Sequence, residues 1–386
     1  MTKENDDKMK IVVAIDSFKG SLTSLEAGNA VKEGILRASR SHEVIVKPLA
    51  DGGEGTTEAF VTGFGGEFIT IPVRGPLNNE VIATYGYIEE DMMAIIEMAS
   101  SSGIMLLDKG EKNPKKANTY GFGEMIADAL DRGCKKFILG IGGSATNDGG
   151  IGMLQALGYD FLGKDGKTVS IGGEGLKEIR TINIDKVNPK LQEAYFQVAC
   201  DVNNPLLGTN GATYIYGPQK GVTEIMRDEL EHGMKNFSRI TIETMGKDFT
   251  DYPGSGAAGG LGYALLSYLD ADLKPGVDLV LKAIDLEQNI RHADLVFTGE
   301  GRIDAQSAMG KAPGGVMKLS KKYGVKVIAL GGSVTRDVRT LNEMGMDACF
   351  SILNEIVSLD EAMNAATAKR NISQTTEQIM NLFDTN

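Results

Sequence analysis

The segment KIVVAIDSFKGSLTSLEAGNAVKEGILRA, residues 10–38, decides the fold class. Its first six residues form an apolar run that predicts a buried β-strand over 10–15. Thr23 and Glu26 follow with the spacing of a capping box, and apolar residues then recur at helical spacing. We therefore predict a helix over 24–38. A strand, a polar loop and a helix in this order are typical of an α/β fold.

The same succession of apolar, strand-like runs and helical segments returns near the other end of the chain. Strand-like apolar runs separated by helical segments indicate a doubly wound sheet, and they lie at 44–49, 295–298, 325–330 and 348–352. Ser358 and Glu361 repeat the capping-box spacing and predict the start of a final helix.

The middle of the chain has a different pattern. Apolar runs at 69–73, 81–88 and 92–98 are separated only by turns, which favours antiparallel strands. Further on we expect a helix around 125–130, a strand at 137–141 and a long helix over 223–244. The inward residues predicted for that long helix are Ile225, Leu230, Met234 and Phe237. We therefore predict one discontinuous domain, residues 1–64 and 286–386, with a second α/β domain, residues 65–285, inserted into it.

Composition narrows the function classes. The chain has 386 residues, 42% of them hydrophobic, and a formal net charge of −12, which argues against nucleic-acid binding. No apolar run reaches the length of a membrane span, and the first ten residues lack the apolar centre of a signal peptide. Cys134, Cys200 and Cys349 are odd in number and far apart, so we expect no disulfide framework or zinc site. These features predict a cytoplasmic protein.

Two polar loops follow the first two predicted strands. In the loop of residues 16–21, Lys19 and the amides at the next helix start suit a carboxylate or phosphate, although a solvated polar loop has the same pattern. In the Asp51-Gly-Gly-Glu54 loop, two carboxylates separated by glycines suit a metal or base site. The alternative there is a tight glycine turn in which Asp51 caps a helix.

Two glycine-rich loops occupy the middle of the chain. Residues 140–150 follow a strand, and their amides, with Ser144, Asn147 and Asp148, suit a phosphate cradle. This loop also contains a weak match to the dinucleotide fingerprint G-x-G-x-x-A. Residues 254–262 open onto another helical segment, where exposed amides and close backbone packing explain the glycines equally well.

A further polar cluster follows the predicted strand at 295–298. Glu300, Arg302, Asp304 and Lys311 combine two carboxylates and two cations, which suits a magnesium–phosphate site. The alternative is a cluster of surface ion pairs.

Long motifs then carry a resemblance to a family. In chain order they are IVVAIDSFKGSLTSLEA, PLADGGEGT, GIGGSATNDGGIGMLQALG, ACDVNNPLLG, YGPQKG, GAAGGLG and TGEGRIDAQS, and they resemble bacterial glycerate kinases of the first structural type. The resemblance extends from Met9 to the last helix. Ile15 departs from it where the family usually has proline, and so do residues 307–309, which replace a threonine-containing stretch. The resemblance implies a Rossmann-like domain with an inserted α/β domain, and phosphorylation of D-glycerate by ATP.

The residues that stand in those motifs form the predicted site. The catalytic candidates are Asp16, Lys19, Asp51, Asp201 and Arg302. The ATP-binding candidates are Gly142, Gly143, Ser144, Asn147, Asp148, Lys220, Gly259 and Gly260. The Mg²⁺ candidates are Asp51, Glu54, Glu300 and Asp304. Asn203 also lies in a family motif. We expect Lys19 and Arg302 to bind the substrate carboxylate or the phosphates, and Asp201 or Asp16 to be the base.

Because the candidates come from both predicted domains, we expect the active site in the cleft between them. The expected substrate is D-glycerate and the favoured product is 2-phosphoglycerate rather than 3-phosphoglycerate. We expect no nucleic-acid or membrane partner, and the sequence leaves the oligomeric state open, with a homodimer as one option. Two alternatives remain: an NAD-dependent hydroxy-acid oxidoreductase, and a non-catalytic sensor of nucleotides or small acids.

Overall fold

The computed structural model describes residues 8–50, 55–108, 110–308 and 310–383. The chain forms two compact units. The terminal unit comprises Met1–Asp51, Glu58–Phe64 and Gly276–Asn386, and the central unit comprises Gly52–Thr57 and Gly65–Pro275. The terminal unit thus resumes at Gly276, before residue 286 at which the sequence analysis places the second boundary.

The strands in chain order are β1 Lys10–Ile15, β2 Glu43–Pro48, β3 Glu67–Arg74, β4 Glu80–Ile88, β5 Met93–Glu97, β6 Lys136–Gly140, β7 Asp160–Leu162, β8 Thr181–Asn183, β9 Tyr195–Ala199, β10 Asp272–Lys274, β11 Leu295–Ile303, β12 Lys326–Val334 and β13 Ala348–Ser351. The α-helices are α1 Ser24–Ala38, α2 Thr56–Phe64, α3 Ala99–Ser102, α4 Tyr120–Asp131, α5 Ile151–Ala156, α6 Ala212–Tyr216, α7 Glu224–Met245, α8 Ala257–Leu269, α9 Gly276–Ala283, α10 Leu286–Arg291, α11 Ala312–Tyr323, α12 Arg339–Met344, α13 Leu359–Met363 and α14 Ala365–Phe383.

The terminal unit is built on a parallel sheet with the strand order β13-β12-β11-β1-β2. Numbered along this unit alone, the order is 2-1-3-4-5, the flavodoxin-like form of a doubly wound sheet. The predicted parallel, doubly wound architecture is confirmed. The direction of winding reverses between β1 and β11, and this switch point is where such sheets bind ligands.

Alternation along β1 explains why helices cover both faces of this sheet. Ile11, Val13 and Ile15 are fully buried with α1 and α14 in one core. Val12 and Ala14 point to the opposite face, and α10 and α11 also contact β1. The predicted capping box is confirmed at the start of α1, where Thr23 and Glu26 each accept a hydrogen bond from the other's amide.

The central unit contains a mixed sheet with the order β10-β9-β6-β5-β4-β3. The predicted antiparallel pairing is confirmed for β3 with β4 and for β4 with β5, while β5, β6, β9 and β10 pair in parallel. Helix α7 confirms the long helix, and its Leu230, Met234 and Phe237 are buried. Ile225 was predicted inward, which is wrong: it is 88% exposed because the core residues of α7 begin at Leu230, beyond the first turn.

The end of the chain differs from the prediction in one respect. Ser358 accepts a hydrogen bond from the amide of Glu361, but the helix that it caps is the short α13. A separate cap at Asn364, whose side chain accepts from Ala366 and Thr367, begins the final helix α14. The prediction that Ser358 starts the final helix is therefore wrong. Among the described residues, no helix has the length and apolar character needed to cross a bilayer.

Candidate active site

A cavity of about 450 Å³ lies in the terminal unit beside the carboxyl ends of β1 and β11. The residues that line it are Asp16, Ser17, Phe18, Lys19, Ser21, Glu300, Gly301, Arg302, Lys311, Gly332, Ser333, Ile352, Leu353, Leu359, Ala362, Met363 and Ala368. The structure thus brings together the predicted site residues Asp16, Lys19, Glu300 and Arg302 at the switch point of the sheet.

The loop after β1 has a fixed shape. The Asp16 amide donates to the carbonyl of Gly299 at 2.9 Å, which ties the loop to β11, and Phe18 forms a bridge with Leu22. The carboxylate of Asp16 is buried and accepts the amide of Ser17 at 2.6 Å. The adjoining helix start differs from the expectation of exposed anion-binding amides, because the Glu26 amide already donates to Thr23. Lys19 is therefore the better candidate for an anion contact in this loop.

The two carboxylate oxygens of Glu300 have different environments. Oε2 lies 3.6 Å from Nζ of Lys311. Oε1 is buried and has no hydrogen-bond partner in the described part of the chain. Burial raises the pKa of Glu300, and Ser307 and Lys311 act in the opposite direction. A buried carboxylate oxygen without a partner is unfavourable unless a cation or a donor arrives.

Arg302 and Asp304 form a second pair beside the cavity. Nε of Arg302 lies 3.3 Å from Oδ2 of Asp304, and the Arg302 side chain is 69% exposed. The other oxygen of Asp304 accepts the amide of Gln306 at 3.0 Å. Asp304 is thus engaged within its own turn, whereas the exposed guanidinium of Arg302 still has donors for a ligand.

The described residues suit a magnesium ion that takes most of its ligands from a nucleotide and from water. The described ranges contain no group of three or more His, Cys, Asp or Glu side chains that suits a metal ion. Mg²⁺ bound with a nucleotide commonly uses one or two protein carboxylates plus phosphate oxygens and water. Glu300, with its unpartnered Oε1, suits one such ligand. Asp51 and Glu54, the other Mg²⁺ candidates, lie outside the described residues.

In the central unit, the glycine-rich loop between β6 and α5 is held from inside by Asp148. Its carboxylate is fully buried and accepts the amide and hydroxyl of Thr119 at 2.9 and 2.8 Å. It also accepts the amides of Gly150 and Gly152. Burial raises the pKa of Asp148, and these hydrogen bonds oppose that effect. Asp148 therefore shapes the loop and does not face solvent, which differs from its predicted contact with ATP.

Lys220 and Asn147 are also directed into the protein. Lys220 is 2% exposed, and its Nζ donates to the carbonyl of Thr146 at 2.7 Å. Burial lowers the pKa of Lys220 to about 7, with the opposing effect of Asp148 the smaller one. Asn147 donates to the hydroxyl of Thr213 at 3.2 Å. These two predicted ATP ligands therefore position the loop in this structure.

The four glycines predicted to bind ATP differ in their burial. Gly142 and Gly143 are exposed at the start of the loop, whereas Ser144 beside them is buried. Gly259 and Gly260 are buried in left-handed conformations, with φ of 70° and 90°. A Cβ at Gly259 would lie 2.1 Å from the carbonyl oxygen of Thr146. Close packing thus explains Gly259, and the exposed residues 142–143 remain the candidates for a ligand.

Asp201 lies at the same edge of the central sheet as the glycine-rich loop. Strands β6 and β9 are parallel neighbours, with Gly140 paired to Ala199 at their carboxyl ends. Asp201 and Asn203 follow β9 and are exposed. The topology therefore places this carboxylate beside the loop of residues 141–150, as parallel pairing requires.

Comparison with known proteins identifies the family. The sequence profile of the glycerate kinase family matches residues 11–384. The chain belongs to the glycerate kinase family. It is 48% identical over 353 residues to the glycerate kinase of Halalkalibacterium halodurans, covering 92% of this chain and 93% of that protein. It is 43% identical over 372 residues to the glycerate 2-kinase of Escherichia coli, covering 95% and 98%.

A solved structure gives the same result for the fold. The chain matches the crystal structure of a Salmonella typhimurium protein provisionally assigned as glycerate kinase 2, with a TM-score of 0.89 and 40% identity. The match covers 97% of each chain. The predicted family, α/β fold class and kinase class are therefore confirmed.

The apolar part of the cavity in this glycerate kinase family member is not among the residues predicted from the sequence. Phe18, Leu353, Leu359 and Met363 line it together with the charged residues. The available signal was the capping box at Ser358, which marks a helix start soon after the last strand. The sequence prediction places this cap at the final helix, whereas in the structure it begins α13, whose Leu359 and Met363 line the cavity.

Proposed function

We propose that this protein transfers the terminal phosphoryl group of Mg-ATP to a hydroxyl of D-glycerate. The observation that carries the proposal is the match of residues 11–384 to the glycerate kinase family. The cavity at the switch point of the terminal sheet supports it, because carboxylate and cationic side chains meet there.

The roles of the residues follow from what phosphoryl transfer requires. Positioning and charge neutralisation supply most of the catalysis in this reaction class. We assign Lys19 and Arg302 to the anionic groups of the substrates, and Glu300 to Mg²⁺ through its unpartnered Oε1. A bound Mg²⁺ neutralises phosphate charge. Asp201 and Asp16 are the candidates for the base that takes the proton from the glycerate hydroxyl.

We further propose that the 2-hydroxyl of D-glycerate is the acceptor, so that the product is 2-phosphoglycerate. The support is that one relative, from Escherichia coli, is named glycerate 2-kinase.

We propose a cytoplasmic location, as the composition predicts. We also propose that residues of both units act on the same pair of substrates, because the predicted site residues come from both.

A coupled assay of ADP release tests the activity. We expect release from Mg-ATP that depends on D-glycerate, and no change in NADH absorbance when NAD or NADH is supplied instead. ATP binding without glycerate-dependent ADP release would favour a sensor. A folded protein that oxidises or reduces a hydroxy acid with a nicotinamide cofactor would favour the oxidoreductase.

A further inference from the structure

We propose that the cavity of the terminal unit binds the nucleotide, with the adenine ring on an apolar wall and the phosphates beside Lys19, Glu300 and Arg302. The apolar wall consists of Phe18, Ile352, Leu353, Leu359 and Met363. This assignment rests on the proposed function, and it specifies which unit holds ATP.

The size and chemistry of the cavity fit a nucleotide better than glycerate. Its volume of about 450 Å³ falls in the range of pockets that bury drug-sized ligands. Glycerate is a three-carbon acid with polar groups on every carbon, so it has no surface that benefits from contact with leucine, methionine and phenylalanine. An aromatic base does benefit from such contact, because apolar burial is favourable roughly in proportion to area.

The apolar wall extends from the end of β13 to the loop after β1. The apolar segment begins at Ile352, directly after β13, and Glu300 lies in β11, two strands away. Glu300 pairs with Gly331 and Gly331 pairs with Ser351, and neighbouring strands are about 4.8 Å apart, so Ser351 lies roughly 10 Å from Glu300. Met363 at the end of α13 returns toward the loop after β1, since a Cβ at Gly20 would lie 3.1 Å from its Cε. A ligand that covers this wall from its Ile352 end and also reaches Glu300 must therefore span roughly 10 Å.

The exposure of the wall also indicates a partner. Leu359 is 76% exposed, Leu353 42% and Met363 37%. Three large apolar side chains lining one cavity are thus incompletely covered by the protein itself. The cavity is lined by three cationic side chains, Lys19, Arg302 and Lys311, and by two carboxylates, Asp16 and Glu300, so the excess of positive charge favours an anionic ligand. A ligand with an apolar ring at one end and phosphates at the other satisfies both requirements.

The glycine-rich loop of the central unit is the competing location for ATP, and its side chains argue against it. Asp148 and Lys220 are buried and hydrogen-bonded inside the unit. Within residues 141–150, the exposed residues are Gly142 and Gly143, which offer backbone amides to a small oxyanion but no apolar side chain to a base.

Calorimetric titration with the magnesium complex of a non-hydrolysable ATP analogue, without glycerate, tests the assignment. The test variants are Leu359→Asn and Met363→Gln, which make the wall polar with little change in size. The matched control is Ile356→Asn, because Ile356 is fully exposed on the same segment and does not line the cavity. We expect each test variant to bind the analogue at least fivefold more weakly, and the control to match the wild type. Inorganic tripolyphosphate, which has no base, should bind all four proteins equally.

Several outcomes would overturn the assignment. They are unchanged analogue affinity in both test variants, an equal loss of tripolyphosphate affinity, or an altered KM for D-glycerate with an unaltered KM for ATP. Thermal melting of each variant verifies that it is folded. Failure of the proposed function is distinguishable, because a protein that shows the expected binding pattern but releases no ADP with glycerate retains the nucleotide site and loses only the assigned acceptor.

Discussion

Substitution of Gly259 by alanine separates a packing role for this glycine from a role in binding ATP. Gly259 has φ of 70°, and an added Cβ would lie 2.1 Å from the carbonyl oxygen of Thr146. That carbonyl oxygen also accepts a hydrogen bond from the buried Nζ of Lys220, at a distance of 2.7 Å. Gly246 provides a matched control in the same unit, because its φ is 71° and an added Cβ would meet nothing within 4 Å.

The expected magnitudes follow from these two environments. A left-handed conformation costs an alanine about 1–2 kcal/mol, and this contribution applies to both variants. Only Gly259→Ala must also displace a backbone carbonyl, and overpacking of a well-packed core costs about 1–3 kcal/mol. We therefore expect Gly259→Ala to lower the free energy of unfolding by about 2–5 kcal/mol and Gly246→Ala by about 1–2 kcal/mol.

Urea unfolding followed by far-ultraviolet circular dichroism measures both values. Because both glycines lie in the central unit, the same transition should shift in both variants. The KM for ATP of folded Gly259→Ala should remain within about twofold of the wild type, since we place the nucleotide elsewhere. Equal stability of the two variants, or a normal stability of Gly259→Ala with a large rise in KM for ATP, would refute the reasoning.

Two further predictions concern buried charge. Burial holds the pKa of Lys220 at about 7, below its usual 10.5, so above pH 7 the unfolded chain binds the additional proton and the free energy of unfolding rises with pH. We expect a rise of about 2 kcal/mol between pH 7 and pH 9 that is absent in Lys220→Met, and parallel urea-derived pH profiles of the two proteins would contradict it. Glu300→Gln should lower turnover by about 100-fold or more with an unchanged melting temperature, because the isosteric amide removes the charge available to Mg²⁺. Glu33→Gln, at an exposed helix position, is the control, and near-normal turnover of Glu300→Gln would remove Glu300 from the metal site.

The local parts of the fold were predictable from the sequence. Strand β1 and helix α1 follow from a short apolar run, a capping box and helical periodicity, all of which act within a few residues. The strand order was not predictable in the same way. Ile11 pairs with Leu295, which lies far away in the sequence, and no local pattern around either residue predicts that pairing.

The candidate site shows the same division. The sequence identified the loops after β1 and β11, because glycines and charged residues directly follow apolar runs there. It did not reveal which polar residues are exposed. Asp148 bonds to Thr119 and Lys220 bonds to Thr146, and these contacts join segments 29 and 74 residues apart. Burial depends on such distant contacts. The sequence alone therefore did not show that Asp148 and Lys220 hold the loop from inside the unit.

The most direct test of the proposed reaction is a proton-coupled phosphorus NMR spectrum of the mixture after incubation of the protein with Mg-ATP and D-glycerate. We predict a phosphomonoester signal, formed together with ADP, that is split into a doublet by the single proton on carbon 2 of 2-phosphoglycerate. A triplet from the two protons on carbon 3 would contradict the assigned hydroxyl. The absence of any new phosphomonoester, with folded protein and intact substrates, would contradict the account of this chain as a glycerate kinase.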